Sequence, residues 1–135
     1  YEHRRQWIAD RISELAGIFA VGVYGYAVMS NHYHVVVRVD PDIAAKWSDE
    51  EIADRWVELF PRGNEARDRL HRDGLLADPQ RLALLRQRLG SLSWFMRCLN
   101  EPIARRANAA DDVRGHFWEA RFKCQALLDD HAVLA

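Results

Sequence analysis

The chain has 135 residues, of which 49% are hydrophobic, and a formal net charge of −1, so it fits one domain with a buried core rather than a disordered chain. No apolar run approaches the roughly 20 residues that span a bilayer, and the first residues lack the apolar core of a secretion signal. Cys98 and Cys124 stand far apart without CxxC spacing, which argues against a zinc ribbon or a disulfide framework and indicates a reducing, cytoplasmic environment.

A helix and two strands are predicted first along the chain. Residues 2–16 place their apolar side chains at helical spacing. Residues 19–29 are apolar and aromatic, and the two glycines among them indicate a strand with a bend or bulge. A second strand, rich in valine, follows a tight turn and ends at Asp40-Pro41. This order predicts an α+β fold, with an antiparallel sheet and helices packed on one face.

The middle of the chain is predicted to be helical. Ser48, followed by Glu51 three residues later, has the form of a capping box and starts one helix. A short helix over 65–72 is expected to stop at the turn-forming pair Asp73-Gly74.

Two more helices follow in the sequence. Pro79 suits the first position of one of them. Residues 91–108 keep helical spacing, although Pro102 should kink this helix or begin a new one. We treat the helices between residues 41 and 90 as an insertion within a single domain that covers residues 1–135.

The C-terminal part of the chain is predicted to return to a strand. Residues 117–124 alternate with period two, which indicates a half-buried strand whose polar face carries Arg121 and Lys123. Basic residues exceed acidic ones over 79–135 and acidic ones exceed basic ones over 40–78, which is compatible with a local nucleic-acid surface. A last helix stops after barely two turns, so we expect the chain to be truncated at both ends.

His32 and His34 are the strongest candidates for a functional site. They stand two places apart in a strand, so they share one face and can bind one metal ion, while Tyr33 points to the core. Two partly exposed strand histidines without a metal are the alternative that the pattern leaves open. No third ligand is evident. Glu119 is the best carboxylate candidate, but an ion pair with Arg121 or Lys123 is the simpler interpretation of it. Two imidazoles with one oxygen ligand would suit Mn²⁺, Mg²⁺ or Zn²⁺ about equally.

Three blocks of the chain, in this order, resemble the single-tyrosine HUH transposases, particularly the repetitive-element-associated tyrosine transposases. The blocks are residues 26–37 with the triplet His32-Tyr33-His34 (His, a large hydrophobic residue, His), SWFMRCLN at 93–100 and GHFWEARFK at 115–123. The triplet alone is a weak signal. The three blocks in this order span residues 26–123, most of the chain, and are together fairly specific.

The resemblance implies an HUH, or ferredoxin-like, palm in which His32, His34 and a polar third ligand hold a divalent metal, Mg²⁺ or Mn²⁺. In such transposases the metal polarises the scissile phosphate of single-stranded DNA, and a tyrosine attacks to give a 5′-phosphotyrosine link and a free 3′-OH. The resemblance also implies a homodimer that acts on hairpin-bearing DNA. Arg121 and Lys123, on the polar face of their strand, are candidate phosphate contacts.

The chain departs from this family in its last part. The nucleophilic tyrosine and the third ligand of the family lie on a helix after the FWEAR segment, and the chain ends before any such pattern. Tyr33 faces away from the histidines and cannot substitute, and Tyr24 and Tyr26 are expected to pack in the sheet. We therefore expect a transposase domain that lacks its nucleophile and forms no covalent DNA adduct. The alternative is a catalytically inactive nucleic-acid-binding module derived from such an enzyme. Barrel hydrolases that use HxH need about 250 residues, more than this chain has.

Overall fold

A computed structural model describes residues 2–29 and 32–111, and within them six helices accompany a two-stranded antiparallel sheet. In chain order the elements are α1 (Glu2–Ala16), β1 (Val21–Val28), β2 (Tyr33–Val39), α2 (Pro41–Lys46), α3 (Asp49–Leu59), α4 (Glu65–Leu76), α5 (Pro79–Leu89) and α6 (Leu92–Asp111). The predicted α+β class with an antiparallel sheet is confirmed. The strand expected over 117–124 lies outside the described residues.

The two strands form a hairpin with one irregularity. They pair in antiparallel register along their lengths, and a bulge interrupts β1 between Val23 and Gly25. The glycines of this segment predict such a bulge, because glycine weakens regular strand packing. The amide nitrogen of Met29, just after β1, donates to the carbonyl oxygen of His32, just before β2, at 2.8 Å. The histidine strand is therefore held by this hydrogen bond at its start and by β1 along its length.

The core lies between one face of the sheet and the helices. The inward-facing strand side chains that pack against it are Val23, Val28, Tyr33, Val35 and Val37. Helix α1 packs on β1 and α6, with Ile8, Ile12 and Leu15 fully or almost fully buried. Phe95 and Leu99, four residues apart on α6, are also fully buried. One apolar stripe of each helix thus faces the core, as their helical spacing predicts.

Helices α2 and α4 differ from the sequence prediction. Helix α4 runs through Asp73-Gly74, where a turn is expected from the sequence. A glycine inside a helix costs only about 1 kcal/mol relative to alanine, and burial of Leu75 on the same helix offsets that cost. Helix α2 lies within the region 41–90 that is predicted to be helical, although the sequence does not single it out as a separate helix. Pro41, which is predicted to end the preceding strand, occupies its first turn, where proline is tolerated.

Helix α6 continues through Pro102, where a kink or a new helix is expected. Proline has no amide hydrogen, so the carbonyl of Cys98, four residues earlier, loses its helical donor. Arg11 of α1 supplies a replacement, since its Nε donates to the Cys98 carbonyl oxygen at 3.1 Å. The Cys98 side chain itself is 5% exposed, and burial raises the pKa of its thiol to about 11. This cysteine is a buried, apolar group rather than a reactive thiol.

Ser48 caps the N-terminus of α3, and its removal should measurably destabilise the protein. Its hydroxyl oxygen accepts from the amide of Glu51 at 3.1 Å, while the Glu51 carboxylate pairs with Arg55 at 2.8 Å instead of reaching back. Half of the predicted capping box is therefore formed. We expect Ser48→Ala to lower the free energy of unfolding in urea by about 1 kcal/mol. Ser13→Ala, at an exposed position inside α1, is the control, and an equal loss in both variants would contradict the capping role.

Candidate metal centre

His32 and His34 lie on the exposed face of the hairpin. His34 belongs to β2 and His32 directly precedes it, and both side chains are exposed. Their ring centroids are 5.4 Å apart and their ring planes are perpendicular. Tyr33, between them, turns to the opposite face and packs against the core. The period of two in a strand thus brings the two imidazoles together.

The separation of the two imidazoles suits one shared metal ion. With metal–nitrogen bonds of about 2.1 Å, two imidazoles on one ion have ring centroids roughly 4.6–5.3 Å apart. The observed centroid distance of 5.4 Å is just above the upper end of this range, and a small side-chain rotation would bring it into the range. Imidazole nitrogen is a ligand that divalent transition metals accept readily. The pair therefore fits two positions of a coordination sphere.

Among the residues that the structure describes, no third ligand accompanies the two histidines. Within residues 2–29 and 32–111 no group of three or more His, Cys, Asp or Glu side chains could hold a metal ion. Glu119, the candidate carboxylate, lies outside the described residues. His71 lies on α4, with its Nε2 at 3.3 Å from Nη2 of Arg62. Burial lowers the pKa of His71 and the positive charge of Arg62 lowers it further, so the uncharged imidazole is favoured there.

Tyr33 connects the histidine strand to helix α6. Its hydroxyl donates to Oδ1 of Asn100, a residue that is 8% exposed and lies among apolar core side chains. Burial raises the pKa of the Tyr33 phenol. Because this part-buried bond joins β2 to α6, it fixes the backbone that carries both histidines. No local sequence pattern marks Asn100 as this partner, and only its place in the block at 93–100 singles it out.

Two other tyrosines are placed differently from the prediction. Tyr24 and Tyr26 are expected to pack in the sheet, but they are 61% and 49% exposed. Tyr24 falls in the bulge and has no paired residue on β2, so no cross-strand side chain covers its ring. The predicted phosphate contacts, Arg121 and Lys123, lie outside the described residues.

Comparison of the chain with protein-family models, with curated protein sequences and with solved structures gives no match. Among the described helices, none is both long and apolar enough to cross a membrane. The functional interpretation therefore depends on the residues themselves.

Proposed function

We propose that the chain is the metal-binding part of a DNA transposase domain of the HUH class, which acts on single-stranded DNA. The observation that carries this proposal is the pair of exposed imidazoles of His32 and His34, 5.4 Å apart on one face of a strand. In this proposal they hold a divalent metal such as Mn²⁺ or Mg²⁺, and the β1–β2 hairpin with α1 and α6 is the centre of the palm. Hairpin DNA and a second copy of the chain are the partners that the resemblance implies.

In such a site, the described residues would have distinct roles. A bound divalent metal would supply Lewis-acid polarisation of the scissile phosphate. His32 and His34 would hold it, and Tyr33 keeps their strand in place through its bond to Asn100. We assign the nucleophile to none of the described tyrosines, and Tyr33 in particular has its hydroxyl engaged in the core. The described part of the site would therefore bind and orient a metal ion without supplying the nucleophile.

The metal site can be tested by calorimetric titration of Mn²⁺ into the chain and into the double variant His32→Ala/His34→Ala. We expect one binding event in the unsubstituted chain and none in the variant, because both imidazole ligands are gone. Both side chains are exposed, so the free energy of unfolding should change by no more than about 0.5 kcal/mol. The double variant His3→Ala/His71→Ala removes the same number of imidazoles elsewhere and should bind Mn²⁺ as before.

Two results would count against the proposed function. Equal binding of Mn²⁺ by the chain and by the His32→Ala/His34→Ala variant would remove these residues from the site. Salt-dependent DNA binding by a chain that binds no Mn²⁺ would instead favour the catalytically inactive nucleic-acid-binding module.

A further inference from the structure

An open groove on the helical side of the protein collects positive charge. It has a volume of about 620 Å³ and is lined by residues of α1, α5 and α6 and by the end of α3 with the loop that follows it. We call it the arginine groove, after its charged lining: Arg11, Arg62, Arg81, Arg97, Arg105 and the single carboxylate Glu101. Its lining includes no residue of the histidine hairpin, so it is a surface separate from the candidate metal centre.

The positive charge of the arginine groove is poorly neutralised. Within the described part of the chain, Arg62, Arg81 and Arg105 form no ion pair with a carboxylate, whereas Arg97 pairs with Glu101 at 3.2 Å and both of these side chains are largely exposed. Arg88 lies next to the groove, and its pKa is lowered by burial and then by the charges of Arg81 and Arg97. Arg11 is paired with Glu14 at 3.0 Å, so three guanidinium groups of the groove remain without a carboxylate partner among the described residues and attract an anionic ligand.

Aromatic rings hold some of these guanidinium groups in place. The guanidinium carbon of Arg97 lies 4.8 Å from the ring centroid of Trp94, and that of Arg88 lies 4.3 Å from the same centroid. A guanidinium stacked on an indole keeps its N–H donors in its own plane, where they can bind phosphate oxygens, and in Arg97 the Nε already donates to Glu101. Phe60, at the end of α3, lines the groove and is 40% exposed. Its ring offers a face on which a base can stack.

The chemistry of the groove selects among anionic ligands. A small anion such as phosphate needs an enclosed site, and this groove is open along several elements. Spaced guanidinium groups match a chain of repeated phosphates, for which arginine is the preferred partner. The exposed ring of Phe60 beside them matches an unpaired base, which duplex DNA does not offer.

We propose that the arginine groove binds the phosphate backbone of a single-stranded DNA segment, apart from the metal centre. The choice of DNA over RNA rests on the proposed function. The choice of a single-stranded nucleic acid rests on the groove itself. The chain would thus hold its DNA at two places, with the arginine groove providing affinity that does not need a metal.

The test is fluorescence anisotropy of the chain with a labelled oligothymidine of about 16 nucleotides, in EDTA, over a range of salt concentrations. The test variant is Arg81→Gln/Arg105→Gln, because both side chains are exposed and have no carboxylate partner in the described part of the chain. We expect its affinity to fall at least about tenfold and its salt slope to fall by about 1.4, since each lost phosphate contact removes about 0.7. Circular dichroism melting should show the fold unchanged.

The control Arg67→Gln/Arg69→Gln removes two positive charges from exposed positions of α4. It should keep the affinity and the slope of the unsubstituted chain. Equal weakening by both variants would show general charge attraction and overturn the assignment to the groove. Tighter binding of duplex DNA, or of polyglutamate, would overturn it in favour of a duplex or an acidic protein partner. An RNA oligomer that binds better than DNA would leave the groove as a single-strand site but remove the choice of DNA.

The proposed function and this inference can fail separately. The His32→Ala/His34→Ala variant should lose Mn²⁺ and keep oligothymidine binding in EDTA. If that variant loses both, the groove is not an independent site. If the Arg81→Gln/Arg105→Gln variant binds oligothymidine normally while Mn²⁺ binding behaves as expected, the inference on the groove is wrong and the metal centre stands.

Discussion

Replacing Phe95 with alanine is expected to lower the free energy of unfolding by about 3–5 kcal/mol. Phe95 is fully buried on α6, and its ring meets that of Phe19 edge to face, with centroids 5.5 Å apart. Truncation removes the apolar transfer energy of the ring and leaves a cavity that rigid neighbours fill only in part. Such a loss is a large fraction of the stability of a typical domain. Equilibrium denaturation in urea measures it directly.

Leu70→Ala is the matched control for this core substitution. Leu70 lies on α4 with 74% of its surface exposed, so its truncation should change the free energy of unfolding by no more than about 0.5 kcal/mol. A similar small change for Phe95→Ala would show that α6 does not pack against the core as described.

The second large effect concerns the buried bond between Tyr33 and Asn100. Tyr33→Phe removes the hydroxyl and leaves the buried amide of Asn100 without this donor, which should cost about 1–3 kcal/mol. The double variant Tyr33→Phe/Asn100→Leu replaces both polar groups by apolar ones and should recover part of that loss. A double-mutant cycle in urea gives the coupling energy. A coupling near zero would contradict a direct bond between the two side chains.

The burial of the Tyr33 phenol predicts a dependence of stability on alkaline pH. A phenol in an unfolded chain has a pKa of about 10, and burial raises the pKa of Tyr33 in the folded state. The folded state therefore keeps its proton where the unfolded state has lost it, so this contribution is full below about pH 10 and is lost as pH rises above it. Urea denaturation between neutral pH and pH 11 should show a smaller decline for Tyr33→Phe. An equal decline in both proteins would contradict the burial of the phenol.

Local sequence patterns predict the helices and strands of this fold better than they predict the contacts between them. The helical stripe of α1, the bulge in β1 and the cap of α3 each follow from short-range chemistry. The continuation of α4 through Gly74 does not, because burial of Leu75 against other helices decides it. Pro102 is a similar case, since the carbonyl that it leaves without a donor is satisfied by Arg11, which is distant in sequence.

The same contrast between local patterns and long-range contacts holds for the candidate sites. The pairing of His32 with His34 is readable because strand geometry alone puts both on one face. The hydrogen bond from Tyr33 to Asn100 joins residues far apart in the chain, so no local sequence pattern indicates it. The arginine groove likewise brings Arg62, Arg81 and Arg105 together from separate elements. The excess of basic residues over 79–135 predicts that a positively charged surface exists, but it does not predict where on the protein that surface lies.

The most direct measurement of the proposed metal centre is the anomalous X-ray scattering of a crystal of the chain soaked in Mn²⁺. We predict one strong anomalous peak within bonding distance of a ring nitrogen of His32 and of His34, on the exposed face of the hairpin. Crystals of His32→Ala/His34→Ala should lack this peak under the same conditions. A peak at other residues, or no peak beside two ordered imidazoles, would contradict the assignment of these histidines as metal ligands.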